Sequence, residues 1–292
     1  VIIARNYGAK NEDQLRKSVA ATAIIGGILS LFVIFIGAVG LNPLLQFLGT
    51  PSAIVAQSYL YISTIVNGVA VTFAYNLCAG LLRAVGDSLA ALYFLIIAAI
   101  LNILLDLYFI TQLHLGVQSA GIATIIAQGI SALLCLLYIR KKVPFLLPHR
   151  KDFVWEKELY QDLLSQGLAM GLMTSIVSIG TVILQSAINQ LGTTIISAQV
   201  AARRIMSLAV LPITAIASSI TTFISQNFGA EQFQRIKKGV TIANLLSWVW
   251  SVLVAALLFF TSPSLTSFIS GSTNPDLIAN ASLYLQISSC FY

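Results

Sequence analysis

Long apolar stretches alternate with short polar joints along the whole chain. About 20 consecutive apolar residues cross a hydrocarbon core as a helix, so the pattern predicts eight membrane-spanning helices. The predicted spans are 18–41, 53–82, 88–111, 117–139, 160–190, 193–224, 239–262 and one that begins near 276. Turn-forming residues mark the joints, as at Asn42-Pro43, Thr50-Pro51, Ser262-Pro263 and Asn274-Pro275. The predicted fold class is therefore an all-α polytopic membrane protein.

Composition supports this class. Of the 292 residues, 58% are hydrophobic and 9% are charged, and the mean hydropathy is +0.90. A soluble domain carries about 25% charged residues, so a soluble globular protein is excluded. One apolar run could be a signal peptide or an anchor, but a chain built almost entirely of such runs cannot be.

The basic residues follow the predicted topology. If the spans alternate in direction, fourteen of the sixteen lysines and arginines lie on one side of the membrane, called the basic side below. They are Arg5, Lys10, Arg16, Lys17, Arg83, Arg140, Lys141, Lys142, Arg150, Lys151, Lys157, Arg235, Lys237 and Lys238. The positive-inside rule predicts that residue 1 and the loop 140–159 are cytoplasmic. The positive charge is thereby explained by topology, and we expect no nucleic-acid partner.

The chain contains an internal repeat. Residues 4–20 (ARNYGAKNEDQLRKSVA) and 225–241 (SQNFGAEQFQRIKKGVT) share five identical positions and precede similar apolar spans. Both copies start on the basic side, which is typical of a parallel repeat of two transporter halves.

The repeat predicts the size of the complete protein. Six spans per copy give twelve spans and roughly 430 residues. We expect 1–140 to form an amino-terminal lobe with helices 3–6, and 160–292 a carboxy-terminal lobe with helices 7–9 and part of helix 10. Residues 141–159 are expected to form a cytoplasmic linker. Asp152 could cap a short surface helix that runs through Trp155 and Leu159, or the segment is a plain solvated linker. The chain opens on Val1 and stops inside an apolar run, as a fragment would.

One acid lies inside a predicted span. An ionisable residue at this depth is costly and is a functional hypothesis by default. Asp106 lies roughly 8 Å from the outer end of its span, with Asn102 on the same helical face. Thr124 is predicted to face them from the next, antiparallel helix. The three side chains could bind Na⁺, or Asp106 could carry a proton because burial disfavours its charged form, or the acid could simply tie helices together. No other metal site is predicted.

Further polar residues fall within the spans and could line a cavity for substrate. They could equally bind neighbouring helices, as polar residues do in membranes. They are Asn67, Tyr75, Asn76, Gln185, Asn189, Gln199, Arg203 and Arg204.

Several ordered segments resemble the multidrug and toxic compound extrusion (MATE) family, particularly its DinF-like and NorM-like branches. They are NYGA with LRK, LLRAVGDS, LNILLDLYFI with LGVQSAGIAT, LQSAINQLG with ISAQVAARRI, and SQNFGA with RIKKGV. The resemblance implies two lobes of six spans in a bacterial plasma membrane, and efflux of organic, often cationic, compounds driven by H⁺ or Na⁺. It also implies that Asp106, Asn102 and Thr124 match the family's amino-terminal cation or proton site. We expect a monomer that needs no cofactor besides the coupling ion.

Two departures from the family and three rival functions qualify this expectation. Ala169 replaces a usual proline, and residues 163–190 contain no acid, which puts a second cation site in the carboxy-terminal lobe in doubt. A lipid-linked oligosaccharide flippase or polysaccharide exporter is the alternative, although it would favour more cavity arginines. An enzyme is disfavoured because no catalytic motif is visible, and a channel because no filter or charge ring is.

Overall fold

The structure, a computed structural model, describes residues 1–47, 52–113 and 116–289. In these ranges α-helices follow one another, interrupted by two 3₁₀ turns at Pro144–Leu146 and Arg150–Asp152. The helices are α1 (Ile2–Gly8), α2 (Glu12–Phe47), α3 (Ser52–Asn67), α4 (Val69–Ala84), α5 (Ser88–Thr111), α6 (Gln118–Lys142), α7 (Lys157–Asn189), α8 (Thr193–Gly229), α9 (Phe233–Ser270) and α10 (Pro275–Ser289). The predicted all-α class is confirmed.

Six of these helices are long and apolar enough to cross a membrane: α2, α5, α6, α7, α8 and α9. The predicted second span is two helices, α3 and α4, which meet at a 45° bend and together form a seventh candidate. The bend lies at Gly68, where an added Cβ would collide with the Ile125 side chain of α6. Helices kink where glycine permits a close approach, so packing against α6 accounts for the break.

Two predicted joints are wrong. Helix α2 continues through Pro43 to Phe47, and α9 continues through Pro263 to Ser270. A proline removes one backbone donor but leaves the rest of the helical ladder intact, and membrane helices tolerate it for that reason. The joint predicted at Thr50-Pro51 lies outside the described residues. The joint before Pro275 is confirmed, because Gly271 closes α9 in the left-handed conformation at φ +63°.

The chain divides into two compact units, residues 1–163 and 164–292. In the first unit the core lies between α2, α4 and α6, with the 3₁₀ turn 144–146 packed on it. Its fully buried side chains include Leu15, Leu82, Cys135, Ile139 and Leu146. The residues predicted as a linker, 141–159, fall within this unit.

The second unit has its own core, formed where α8, α9 and α10 pack together. Small residues of α8 allow the close approach, as is common between membrane helices. The buried cluster includes Ala198, Ala202, Leu258, Ala281 and Leu285. The Trp250 indole of α9 also donates a 2.9 Å hydrogen bond to the Ala209 carbonyl of α8.

The repeat is visible in the backbone. Lys10 and Glu231, 221 residues apart, are the non-glycine residues with positive φ in the described part of the chain, at +53° and +56°. Around each, three backbone hydrogen bonds recur in the same pattern, at 2.9–3.0 Å in the first copy and 2.8–3.1 Å in the second. The same turn therefore connects α1 to α2 and α8 to α9.

The segment after α6 is held to the start of α2 by ion pairs. Asp152, whose side chain is 1% exposed, lies 3.6 Å from the Arg16 guanidinium and accepts the His149 backbone N–H at 2.7 Å. The Lys17 ammonium donates to the Glu156 carboxylate at 2.7 Å. The predicted surface helix through Trp155 is wrong, because Asp152 ends a 3₁₀ turn and the next helix begins only at Lys157.

These contacts change the pKa values of the two acids, Asp152 and Glu156. The hydrogen bond from Lys17 lowers the pKa of Glu156 below its ordinary value. Burial of Asp152 alone would raise its pKa, but the His149 N–H and the Arg16 charge outweigh burial and lower it. Both carboxylates are therefore ionised at neutral pH, and the contacts to α2 are charged ones.

Candidate functional site

The acid predicted inside the membrane lies on α5, beside a polar contact to α6. The Asn102 amide donates a hydrogen bond to the Thr124 hydroxyl at 3.2 Å, joining the two helices. Thr124 in turn donates to the Ala120 carbonyl one turn earlier at 2.8 Å. Asp106 follows Asn102 by four residues, so it lies on the same face of α5. The structure thus joins Asn102 and Thr124 as predicted, and shows no direct hydrogen bond from Asp106 to either among the described residues.

Asp106 itself is incompletely satisfied. Its Oδ1 is buried and accepts no hydrogen bond from any described residue. A buried polar oxygen without a donor costs roughly 1–3 kcal/mol, and more if charged. A bound proton, a cation or a water molecule each removes that cost. The arrangement is therefore chemically suited to taking up a small cation or a proton.

The two helices of this site are fixed at their basic ends. Gly86, with φ +92°, forms the turn before α5, and the Asp87 carboxylate caps the helix by accepting the Ala90 N–H at 3.1 Å. The other Asp87 oxygen accepts the Tyr138 hydroxyl of α6 at 2.8 Å. One carboxylate therefore starts α5 and ties it to α6, which sets the register that brings Asn102 to Thr124.

In the second unit the structure connects three of the predicted cavity residues. The Arg203 guanidinium of α8 donates to the Gln185 side-chain oxygen of α7 at 3.3 Å. Gln185 donates its amide to Asn189, one turn further along α7, at 2.9 Å. All three are exposed or half-buried in this unit. The result is a small polar patch in which Gln185 connects the Arg203 guanidinium to Asn189.

The other predicted cavity residues differ in exposure and in their contacts. Tyr75 is buried, 7% exposed, and Asn76 donates to the Thr72 carbonyl of its own helix at 2.9 Å. Asn67 ends α3 and is exposed, as is Arg204. Tyr75 therefore packs in the helical core of the first unit rather than lining an open cavity, because its ring lies on the packed face of α4.

Gln199 is a different case. It is only 5% exposed, yet both its side-chain polar atoms lack a hydrogen-bond partner among the described residues. The buried hydroxyls of Ser262, Thr266 and Ser282, on the neighbouring α9 and α10, also lack one. The second unit thus contains several buried polar groups without a hydrogen-bond partner among the described residues.

The sequence reasoning missed two polar contacts between helices of the first unit. The Thr72 hydroxyl donates to the Gln128 side-chain oxygen at 2.6 Å, and the Gln118 amide donates to the Thr64 hydroxyl at 3.2 Å. Gln118 and Gln128 carry the only signal that could have found these contacts, since each is a polar residue within an apolar span. Their partners are separated by more than 50 residues, so spacing along the chain does not reveal them.

These features define a class: a membrane protein of many α-helical spans, with a repeated turn and polar groups buried within its helices. The model of the MatE family matches residues 1–108 and 169–292. The chain belongs to this family, which is the one that its sequence motifs resemble.

Individual proteins of known sequence are also similar to this chain. The chain is 26% identical over 277 residues to the probable multidrug resistance protein YoeA of Bacillus subtilis, covering 92% of this chain and 60% of YoeA. It is 32% identical over 197 residues to the probable multidrug resistance protein YpnP of the same organism, covering 66% of this chain and 43% of YpnP.

Solved structures show the same fold. An outward-facing multidrug resistance MATE family transporter superposes with a TM-score of 0.88 at 23% identity. That match covers 99% of this chain and 66% of the transporter. The chain thus spans less than two thirds of the length of the relatives it matches.

Proposed function

We propose that this chain is part of a secondary active antiporter that exports organic, often cationic, compounds in exchange for H⁺ or Na⁺. Family membership supports transport, and YoeA and YpnP are both named as probable multidrug resistance proteins. We place the protein in a bacterial plasma membrane, with residue 1 and the loop 140–159 on the cytoplasmic side.

The observation that carries the proposal is the buried, unpaired oxygen of Asp106. An ion-coupled transporter needs a group that binds the ion in one state and releases it in another. A carboxylate held beside the Asn102–Thr124 contact, with one oxygen unsatisfied, has this property. In the described residues of the second unit the acids are Glu231 and Asp276, which lie outside the apolar parts of the helices. Coupling is therefore assigned to the first unit.

The polar patch of Gln185, Asn189 and Arg203 supports a role in substrate recognition. The Arg203 guanidinium is hydrogen-bonded to a neutral amide, which does not neutralise its charge. It therefore still attracts anionic groups and repels cations. We infer that this patch restricts which charged compounds are accepted.

The test is efflux from cells that express the full-length protein with Asp106→Asn. We expect the variant to lose efflux of ethidium while the protein still reaches the membrane, because the amide cannot carry the ion. Asp276→Asn is the matched control, since it removes an exposed acid at the start of α10. Full efflux by the Asp106→Asn variant would refute the coupling role. Omitting Na⁺ at constant pH then distinguishes H⁺ from Na⁺.

A further inference from the structure

Two buried cysteines of the first unit lie opposite each other on neighbouring helices. Cys78 of α4 is 9% exposed, Cys135 of α6 is 0% exposed, and both belong to the buried core of this unit. Both thiols are free, and a hydrogen bond joins their side chains. The proposed transport function makes no use of either thiol.

The packing of α4 against α6 accounts for this position. Gly68, immediately before α4, lies against the Ile125 side chain of α6, and the Thr72 hydroxyl donates to the Gln128 side chain at 2.6 Å. These pairs are 57 and 56 residues apart, and the two cysteines are again 57 residues apart. A nearly constant separation means that the two helices run side by side in the same direction. The register that forms the first two contacts therefore also brings the thiols together.

The contact between the thiols is internal to the first unit. Ala79, Leu82 and Ile139, from the same two helices, belong to the same buried cluster and are at most 2% exposed. Segments elsewhere in the protein can add to this burial, but they do not create it. The juxtaposition therefore depends only on how α4 packs against α6.

Both thiols lie near the basic side of the membrane, which we have placed in the cytoplasm. Cys78 precedes Arg83 by five residues, and Cys135 precedes Arg140 by five, so each lies about 8 Å from the basic end of its helix. A small uncharged oxidant such as hydrogen peroxide reaches this depth without the cost of burying a charge. Cytoplasmic thiols are kept reduced, so the dithiol is the resting form.

We propose that Cys78 and Cys135 form a site of oxidative modification, at which a peroxide converts the two thiols into a disulfide that joins α4 to α6. One sulfur attacks the peroxide: an S–O bond forms, the O–O bond breaks, and one water leaves. The second sulfur attacks the resulting sulfenic acid: the S–S bond forms, the S–O bond breaks, and a second water leaves. The peroxide takes up the two electrons that the thiols lose, and the thiol protons pass into the two waters. The inference does not depend on the proposed transport activity.

The test is peptide mapping of the folded full-length protein after treatment with hydrogen peroxide in membranes. The protein is then unfolded, its remaining thiols are blocked with N-ethylmaleimide, and its peptides are identified by mass spectrometry. We expect a crosslinked pair of peptides that contain Cys78 and Cys135 and that separate on reduction. Maleimide labelling of the two cysteines should fall in parallel, because each disulfide consumes one of each. Cys78→Ser and Cys135→Ser should each abolish the crosslinked pair.

Cys290→Ser is the matched control. Cys290 is the third cysteine of the sequence and lies outside the described residues, and its removal should leave the yield of the crosslinked pair unchanged. Crosslinks of Cys78 or Cys135 to other cysteines in equal yield would mean pairing by chance and would overturn the proposal. Full maleimide labelling of both cysteines after peroxide treatment would overturn it as well. If a serine variant fails to fold, the peptide map of the unmodified sequence decides the outcome, because it reads the crosslinked pair directly.

Discussion

The two units contain the same turn and use it differently. In the first unit, the helix that follows the turn begins with Glu12 and Asp13, and its Arg16 and Lys17 pair with these acids and with residues of the segment after α6. In the second unit Phe233 and Gln234 take the places of the two acids, and Lys237 and Lys238 have no acidic partner among the described residues. The backbone geometry thus depends on the turn itself, whereas the charged contacts of the described residues differ between the two copies.

The interiors of the two units differ in a related way. The first unit has a carboxylate within a span, at Asp106, whereas the second has a guanidinium, at Arg203, bonded to an amide. Near their outer ends the duplicated helices differ again. Leu41 and Leu45 of α2 are buried apolar residues, and Ser262 and Thr266, 221 positions later on α9, are buried hydroxyls. Duplication therefore preserved the helix packing while the polar chemistry diverged.

The largest expected effect is on efflux, when the charge of Asp106 or of Arg203 is removed. We expect Asp106→Asn to reduce ion-coupled efflux by about tenfold or more, and Arg203→Gln to change it by less than about fivefold while altering substrate preference. Efflux of a cationic and an anionic dye, measured with and without an ion gradient, tests both. Equal loss of coupling in the two variants would remove the distinction between the units.

The next largest effect concerns the paired positions on α2 and α9. Leu45→Ala should destabilise the full-length protein by about 2–4 kcal/mol, because it leaves a cavity in a packed site. Thr266→Val should change the stability by no more than about 1 kcal/mol, because the hydroxyl that it removes makes no hydrogen bond among the described residues. Denaturant unfolding in mixed micelles measures both. A large loss in Thr266→Val would show that the hydroxyl has a partner.

Because the turn is repeated, replacing its left-handed residue by glycine should raise the stability by the same amount in both units. Lys10 and Glu231 adopt a left-handed conformation that costs a residue with a side chain roughly 1 kcal/mol. Lys10→Gly and Glu231→Gly should therefore each stabilise the protein by up to about 1 kcal/mol, which thermal unfolding can detect. A gain in only one variant would mean that the side chains, and not the backbone, distinguish the turns.

The smallest effect is a pH dependence of the segment after α6 in the first unit. Because the pKa values of Asp152 and Glu156 are lowered in the folded protein, their contribution is present above about pH 4 and is lost as the pH falls through the lowered values. Hydrogen exchange of a peptide covering 147–158, corrected for intrinsic rates, should rise at low pH. The Lys17–Glu156 pair is partly exposed, and the Arg16–Asp152 pair is separated by 3.6 Å. The effect on stability is therefore below about 1 kcal/mol. The peptide covering the turn at 229–236 is the control and should not respond.

Helical spacing was enough to predict the contact between Asn102 and Thr124, whereas the coupling role of Asp106 stays a prediction. Asn102 and Asp106 are four residues apart on one helix, and Thr124 lies at a similar depth on the next, so local geometry placed them together. Tyr75 lies on the packed face of α4, which nothing in its own helix indicates. The joints predicted at Pro43 and Pro263 are wrong. A proline ends a helix only where the backbone hydrogen bonds on either side of it are not maintained.

The apolar runs were enough to predict an all-α membrane protein, although eight spans were predicted and six helices, or seven with the bent pair, are long and apolar enough to cross a membrane. The repeat in the sequence was enough to predict the repeated turn. Each of these depends on residues close together in the chain, namely on the period of a helix and the length of a bilayer. The partners of the polar groups could not be predicted in the same way. That Arg203 binds Gln185, that Lys17 binds Glu156, and that Cys78 lies against Cys135 depends on contacts between segments that are distant in sequence. Such contacts follow from how the helices pack, because a buried polar group takes whichever partner the packing brings within reach.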